Sequence, residues 1–389
     1  MSTLTAALRG SDSHTLDGHL ARFGAMPLEP GLVGALRESG LRGRGGAAFP
    51  VAEKLEHVRA AGTRPIVVAN GAEGEPASAK DKALLRHAPH LVVDGLRAAA
   101  QAVGAREGVI ALSAGARTEL AAVQNAIAER RRFDSFMLAA LTVPDGFVSG
   151  EETALLRALG GGASKPTLKP PFPAERGLDG KPTLVQNVET LAHVALIARF
   201  GPRPMTALVT LSGAVGHPGV YEAELGTSLG ELVERAGGVA EPVSAFLVGG
   251  YFGRWVPAVE ASGTKLTPEV LGAGAIVAFP AAACAVAECV RVARYLADEG
   301  AGQCGPCAHG LPAIAGALEG LSRGDDNRSR ILRWAEQVNG RGACRHPDGA
   351  ARFVESSLAV FGPEFDRHAR RRRCDLERRR VLTLPGRDR

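Results

Sequence analysis

The stretch Ser39 to Pro50, SGLRGRGGAAFP, gathers the residue types that hold a phosphate. Gly40, Gly43, Gly45 and Gly46 let a backbone turn tightly and come close to a ligand. Arg42 and Arg44 bring positive charge to the same place. The run AAFPVAEKLEHVRAAG behind them has helical character, so the loop opens onto a helix N-terminus, which suits an anion. Gly43-x-Gly45-x-x-Ala48 also matches the dinucleotide fingerprint, but that fingerprint needs a strand before the loop, and PGLVGALR is a short helix. A plain flexible turn is the competing reading.

Carboxylates recur at two further places. Glu73 and Glu75 lie in NGAEGEPA, directly after the strand-like Arg64 to Asn70, and open α/β sheets bind ligands at such strand ends. Gly150-Glu151-Glu152 opens a helix, where the helix dipole alone also favours acids. Lys169-Pro-Pro-Phe-Pro173 is stiff and extended; it holds Lys169 and Phe172 on a fixed scaffold, or it is a linker.

The six cysteines, Cys284, Cys289, Cys304, Cys307, Cys344 and Cys374, all fall in the last third of the chain. No export signal precedes them, which argues against a disulfide framework. Cys304-x-x-Cys307 with Cys344 further on has metal-ligand spacing. Three readings stay open: iron–sulfur ligands, buried thiols, or zinc, which usually takes four closed ligands in a structural site.

These residues need elements to position them. Leu32 to Glu38, Ala79 to His87, Pro89 to Val103 and Arg117 to Arg130 have helical patterns, and Gly108 to Ser113 is a second strand. Alternating strands and helices predict a layered α/β domain. Thr183 to Phe200 is expected to be one helix, with Gln186, Asn187, Glu189 and Thr190 polar near its start. Residues 1–30 show little periodicity. From 207 to 280, short β-like runs surround one helix, Ser228 to Ala236. Ala281 to Ala369 is helical, across Cys284 to Leu296, Leu311 to Leu321, Ile331 to Asn339 and Ala350 to Phe361. The expected divisions are 1–200, 204–280, 281–366 and an arginine-rich tail, 367–389.

Composition excludes several classes. At 389 residues, with 45% hydrophobic and 22% charged, the chain is globular and too long for one core. Its net charge of +5 comes from the tail, where Arg367 to Arg380 holds eight arginines against Asp375 and Glu377. The body is close to neutral and has no nucleic-acid-binding field. Such a tail docks an acidic partner or anionic lipid, or is simply a solvated end. The longest uncharged run, Val270 to Ala287, is broken by Pro280 and is expected to be a strand, Ala275 to Phe279, followed by a helix start at Pro280. A soluble cytoplasmic protein is the expectation.

Taken together, SGLRGRGGAAFP, NGAEGEP, GEETALL, KPPFPA, GKPTLVQNVETL and CGPC…C occur in this order over nearly the whole chain. The set resembles the NADH-binding flavoprotein subunit of respiratory complex I and its relatives in NAD-reducing hydrogenases and formate dehydrogenases. The resemblance implies an FMN-binding α/β domain, a β-grasp module of the soluble-ligand-binding type and a C-terminal helical bundle holding a 4Fe–4S cluster. It implies hydride transfer from NADH to FMN and single-electron exit through the cluster to a small redox protein such as ferredoxin or another subunit. No integral membrane segment is implied; any membrane association is peripheral, through a partner.

By the same resemblance, Gly43, Arg44, Gly45 and Lys54 would cradle the FMN phosphate and ring, and Asn70 and Glu73 would hold the flavin edge. Gln186, Asn187 and Thr190 would contact the ribityl chain and phosphate. Phe49 would stack on the adenine of NADH. Glu75 and Glu152 would bind ribose hydroxyls or position the nicotinamide, and Gly150, Glu151, Lys169 and Phe172 would complete the dinucleotide slot. Glu73 and Glu152 are the implied catalytic carboxylates, and Cys304, Cys307 and Cys344 the metal ligands. Four positions depart from the family pattern. Ala301 replaces the first cluster cysteine, which leaves a 3Fe–4S cluster, a 4Fe–4S cluster with an outside ligand, or none; His309 and Cys289 are the replacement ligands considered. Ala72 replaces an Asp, Phe147 a Tyr, and His57 an aromatic beside the adenine. The rival readings are an electron-transfer or scaffold module that has lost NADH binding, and a zinc-stabilised binding protein with an empty flavin cleft.

Overall fold

The computed structural model describes the chain except residues 1–3, 10, 11, 13, 28–30, 63, 132–135, 372, 373, 375 and 387–389. Its contacts divide it into two units: Met1–Gly74, Ala79–Leu208 and Val220–Leu225 in the first, and Glu75–Ser78, Val209–Gly219 and Gly226–Arg389 in the second.

The first unit begins with helices α1 (Leu4–Arg9), α2 (Leu16–Phe23), α3 (Leu32–Ser39) and α4 (Val51–Ala60). Residues 1–30 are thus not a featureless lead. They continue into β1 (Ile66–Gly71), α5 (Lys80–His87), α6 (Pro89–Val103), β2 (Glu107–Ser113), α7 (Arg117–Arg130), β3 (Met137–Val143), α8 (Glu152–Leu159), β4 (Thr183–Asn187) and α9 (Val188–Phe200). The four strands pair in parallel in the order β3-β2-β1-β4. Apolar side chains of β1 point to both faces and are buried, as expected of a parallel sheet covered by helices. One core packs α4, α6 and α9 on one face, and a second packs Val68, Leu155 and Val185 on the other.

The expected single helix Thr183 to Phe200 is two elements. Thr183–Asn187 is a strand in register with β1, and α9 begins at Val188. The strand is short and buried on both faces, and periodicity alone does not separate such a run from buried helix. The break falls at Asn187, whose side-chain Oδ1 accepts the N–H of Glu189 at 2.9 Å and caps α9.

After α9 come β5 (Thr206–Gly213), β6 (Gly219–Glu224), α10 (Leu229–Arg235), β7 (Val243–Val248), β8 (Arg254–Pro257), α11 (Pro268–Leu271) and β9 (Ala275–Pro280). The five strands form a mixed sheet, β6-β5-β9-β7-β8, with β5 parallel and β7 antiparallel to β9. The start of β5 and most of β6 count with the first unit. Ser228 and Glu231 form a reciprocal capping box on α10. The helix after β9 starts at Ala285, not at Pro280, because Pro280 is still the last residue of the strand.

The second unit ends in α12 (Ala285–Asp298), α13 (Leu311–Arg323), α14 (Arg328–Val338) and α15 (His346–Arg371). Trp255 packs edge-on against Phe279 and Phe361, and its indole N–H donates to Ser357 Oγ at 3.1 Å, so β8, β9 and α15 share one aromatic core. The tail is not a solvated end. Glu377 N donates to Ala282 O at 3.0 Å, Cys284 N donates to Glu377 O at 2.9 Å, and Leu382 and Leu384 are buried. Glu288 Oε2 accepts the N–H groups of Val381 and Leu382, and Tyr251 Oη donates to Thr383 O at 2.6 Å. Arg372, Arg373 and Asp375 of the tail lie outside the described residues. Among the described residues no helix is long and apolar enough to cross a membrane.

Candidate functional site

In the first sheet, β1 has β2 on one side and β4 on the other, so the chain changes direction between β1 and β4. That switch point leaves a crevice at the carboxyl ends of the two strands. Asn70 of β1 is paired with Asn187 of β4, and Ala69 with Gln186. The candidate residues gather there. A cavity of about 520 Å³ opens elsewhere on the unit, lined by Glu107, Arg130, Met137 and Asp179, and holds none of them.

The glycine loop arrives from α3, which Gly40 closes in the left-handed conformation (φ 63°). Gly43 N donates to Phe49 O at 2.9 Å and Val51 N to Leu41 O at 3.0 Å, closing the loop at its base. Gly45 faces β4, where an added Cβ would stand 3.3 Å from Asn187 Cβ. The arginines divide. Arg42 is exposed, whereas Arg44 is 5% exposed and donates to Thr206 O at 2.9 Å and Arg42 O at 2.7 Å. Arg44 N donates to Thr190 Oγ1 at 2.9 Å. Its guanidinium therefore braces the loop from beneath.

Two backbone segments meet at the end of β1. Asn70 Nδ2 donates to Gly150 O at 2.8 Å, while its Oδ1 accepts Ala72 N at 3.2 Å. An added Cβ would lie 2.5 Å from Ala72 O at Gly150 and 2.6 Å from Phe147 O at Gly74, so both positions require glycine for close approach. Ala72 itself is buried. On β4, Gln186 is 5% exposed, and its amide Nε2 is buried with no hydrogen-bond partner among the described residues. An unpaired buried donor costs about 1–3 kcal/mol, so it marks a place where a polar ligand belongs.

The acidic pair at the start of α8 is bound to two lysines. Glu151 caps α8, accepting Thr153 N at 2.8 Å and Ala154 N at 3.1 Å. Lys169 Nζ donates to Glu151 Oε1 at 2.9 Å and to Glu152 Oε1 at 2.7 Å, and Lys54 Nζ donates to Glu152 Oε2 at 3.2 Å. Burial would raise the Glu152 carboxyl, but Lys54 and Lys169 outweigh it and hold it below its usual value. Lys169 precedes two cis peptide bonds, Lys169–Pro170 and Pro170–Pro171. Phe49 and Phe172 present exposed rings, at 45% and 51%, and His57 is exposed on α4.

A buried charge cluster lies under the crevice, and of its members only Glu73, Arg44 and Asn187 are foreseen from sequence as site residues. Lys80 Nζ stands 2.7 Å from Asp81 Oδ1 and 2.9 Å from Glu189 Oε2, and Glu73 accepts the N–H groups of Asp81 and Lys82 at the start of α5. Asn187 Nδ2 donates to Asp81 Oδ2 at 2.6 Å. One ammonium thus serves several carboxylates. Burial pushes Asp81 up to about 7, helped by Glu73 and Glu189 against Lys80. Burial also opposes the charge on Glu189, but Lys80, His193 and Arg44 overcome it and hold it at about 2. The Lys-Asp-Lys run of α5 has the pattern of a solvated helix start, and only the preceding NGAEGEP loop hints that it is drawn inward.

Glu75 belongs to the second unit. Its Oε2 accepts Tyr251 N at 2.8 Å and its Oε1 accepts Ala77 N at 3.1 Å. Cys304, Cys307 and Cys344 lie in the same unit. Cys307 is buried at the start of the turn leading into α13, and Cys304 and Cys344 are half-buried. Burial, then the neighbouring Cys304 and Cys344, push the Cys307 thiol up to about 12. Three thiols drawn together this way fit thiolate ligation of iron. Ala301 is buried at 7% exposure and offers no ligand atom. Of the replacement ligands considered, His309 is exposed and Cys289 is fully buried within α12.

Comparison with known proteins agrees with this arrangement. The model of the Nuo51 FMN-binding domain matches residues 36–196, the SLBB domain 208–250, and the NADH-ubiquinone oxidoreductase-F iron-sulfur binding region 287–368. An NADH-quinone oxidoreductase subunit of Rhizobium meliloti (strain 1021) is 32% identical, over 93% of this chain and 96% of its own length. The corresponding NADH-quinone oxidoreductase subunit of Streptomyces coelicolor is 30% identical over 97% of both chains. The chain belongs to the NADH-ubiquinone oxidoreductase-F family. Among solved structures, the NAD+-reducing NiFe hydrogenase in its H2-reduced state superposes with a TM-score of 0.82 at 28% identity, covering 97% of this chain and 66% of that one. As a member of the oxidoreductase-F family the chain carries FMN-binding and 4Fe–4S-binding domains. The unpaired Gln186 amide and the glycine-built crevice fit a flavin; the three thiols fit all but one of the cluster's cysteine positions.

Proposed function

We propose that this chain oxidises NADH at the β1/β4 crevice, with FMN as hydride acceptor, and hands electrons singly through an iron–sulfur centre to a redox partner such as ferredoxin or another subunit. FMN, when bound, supplies a site that takes a hydride and can release electrons one at a time. The observation that carries the reading is Gln186, a buried amide donor without a partner at a crevice inside the region matched by the FMN-binding domain.

The residues of the crevice would then act as follows. The backbone of Gly43 and Gly45 would cradle the phosphate, braced by Arg44. Asn70, Glu73, Gln186, Asn187 and Thr190 would fix the flavin. Phe49 and Phe172, both exposed rings, would take the adenine and close the slot. Lys54 and Lys169 hold Glu152 ionised, so its carboxylate would accept hydrogen bonds from a ribose or carboxamide. Cys304, Cys307 and Cys344 would ligate the cluster.

The test is an anaerobic titration of the FMN- and iron-loaded chain with NADH. Bleaching of the flavin band, followed by reduction of added ferredoxin, is expected. A flavin that dithionite bleaches and NADH does not would refute NADH oxidation. Bleaching without ferredoxin reduction would refute that partner alone.

A further inference from the structure

Cys284, Cys374 and His368 form a second cluster of ligand-type side chains, separate in sequence from the Cys304–Cys307–Cys344 set. One ligand atom from each lies within 4.8 Å of the other two. Cys284 Sγ is 3.5 Å from His368 Nε2. Two atoms bound to one zinc ion, a sulfur at about 2.3 Å and a nitrogen at about 2.0–2.1 Å, stand about 3.6 Å apart at a tetrahedral angle. The observed separation is the edge of such a tetrahedron.

The fold brings these residues together from distant places. Cys284 sits at the junction of β9 and α12 and is 1% exposed. It caps α12, its Sγ accepting Ala287 N at 3.3 Å, and a helix N-terminus favours the thiolate form. His368 is near the end of α15, and Cys374 begins the returning tail. Glu364 lies one helical turn before His368, on the same face of α15, and its carboxylate is hydrogen-bonded to Cys284 and to Val286 N. Burial pushes the Cys284 thiol up to about 12, so its proton is held in a pocket of sulfur, nitrogen and carboxylate donors.

We propose that Cys284, His368 and Cys374 bind a zinc ion, with Glu364 beside them as the fourth group. Binding displaces the two thiol protons to solvent and leaves the imidazole neutral; no electron moves. Two thiolates and an imidazole select zinc over magnesium or calcium, which take oxygen ligands. The ion would pin the start of α12 to the end of α15 and hold the tail where Glu377 pairs with Ala283. Its role is structural, in contrast to the redox role of the other three cysteines.

Elemental analysis of the full-length, cofactor-loaded chain after dialysis against a weak chelator tests this. Stoichiometric zinc is expected in the parent and its loss in Cys374→Ser and in His368→Gln, with FMN and iron contents unchanged in both. Either variant suffices should the other fail to fold, since both side chains are only half-buried. A parent that takes up no zinc from a zinc buffer overturns the proposal. So does zinc retained in the variants, zinc lost instead with Cys307→Ser, or a Cys284–Cys374 disulfide in zinc-free protein.

Discussion

Lys169 Nζ lies 2.7 Å from Glu152 Oε1, and that ion pair ties the Pro-Pro segment to the first turn of α8. Burial would lower the Lys169 ammonium, but Glu152 and Glu151 hold it charged. If this pair positions NADH, Lys169→Ala loosens the substrate and not the flavin. Hydrogen bonds to charged groups are worth about 1.5–3 kcal/mol, so a rise of about tenfold or more in KM for NADH is expected. FMN content and kcat should stay near the parent's, and Lys169→Arg should recover part of the loss. Steady-state kinetics on flavin-saturated protein checks this; a fall in FMN content with unchanged KM would place Lys169 in the scaffold alone.

Gln186→Leu separates binding from packing. In the flavin-free chain the buried Nε2 has no partner, so replacing it with an apolar group of similar volume removes a penalty. The flavin-free melting temperature should hold or rise. FMN affinity should fall about tenfold, the value of one lost hydrogen bond of about 1.4 kcal/mol. Fluorescence titration with FMN and thermal melts of the flavin-free protein read the two effects independently. A destabilised flavin-free variant that binds FMN normally would make Gln186 a packing residue.

The sequence made the alternation of strands and helices legible because its apolar runs are long and bounded by turns. β1, α6, β2 and α7 lie within two residues of their expected positions. It was misleading at Thr183–Asn187, where five residues buried on both faces look like the first turn of the following helix. It was silent on β3, an edge strand whose face is largely exposed. The glycine loop, Glu73, the Glu151–Glu152 pair and Gln186 were legible as candidates through their motifs. Lys80 and Asp81 were not, since charged residues at a helix start are ordinarily solvated, and only tertiary packing draws these inward. Nor was the Cys284–His368 approach, because 84 residues separate the two and no local spacing encodes it.

Asp81 makes the pH dependence of the first unit testable. Its carboxyl is raised from the ordinary 3.8 to about 7, so the folded state binds a proton that the unfolded state releases. That contribution is complete below about pH 4 and is lost as pH rises through about 7. Asp81→Asn keeps the side chain neutral at every pH. The variant should gain stability relative to the parent between about pH 5 and about pH 8, read from thermal melts of flavin-free protein. Glu189 has the opposite sign. Held at about 2, it contributes above about pH 4.5 and is lost as pH falls, so it is silent in the range where Asp81 titrates. A gap between variant and parent that stays flat over this range would count against a protonated Asp81.

Asp94 anchors the N-terminal helices to α6 and α9. Its carboxylate takes His19 Nε2 at 2.6 Å, Arg130 Nη1 at 2.6 Å and the guanidinium of Arg199, all nearly buried. Burial alone would raise its pKa, yet His19, Arg130 and Arg199 hold it well below the usual carboxylate range. Removing one partner of a buried ion network costs about 3–5 kcal/mol, because the remaining charges are left uncompensated. Asp94→Asn should therefore lower the thermal stability of the first unit sharply at about pH 7, while charge-neutral repacking with Arg130 and Arg199 also replaced should recover much of it. Since the folded pKa is depressed, the contribution is present above the ordinary Asp value of about 3.9 and fades below it. The difference between parent and Asp94→Asn should accordingly shrink in melts below about pH 4. A difference that persists unchanged in acid would mean that Asp94 acts through shape and not through its charge.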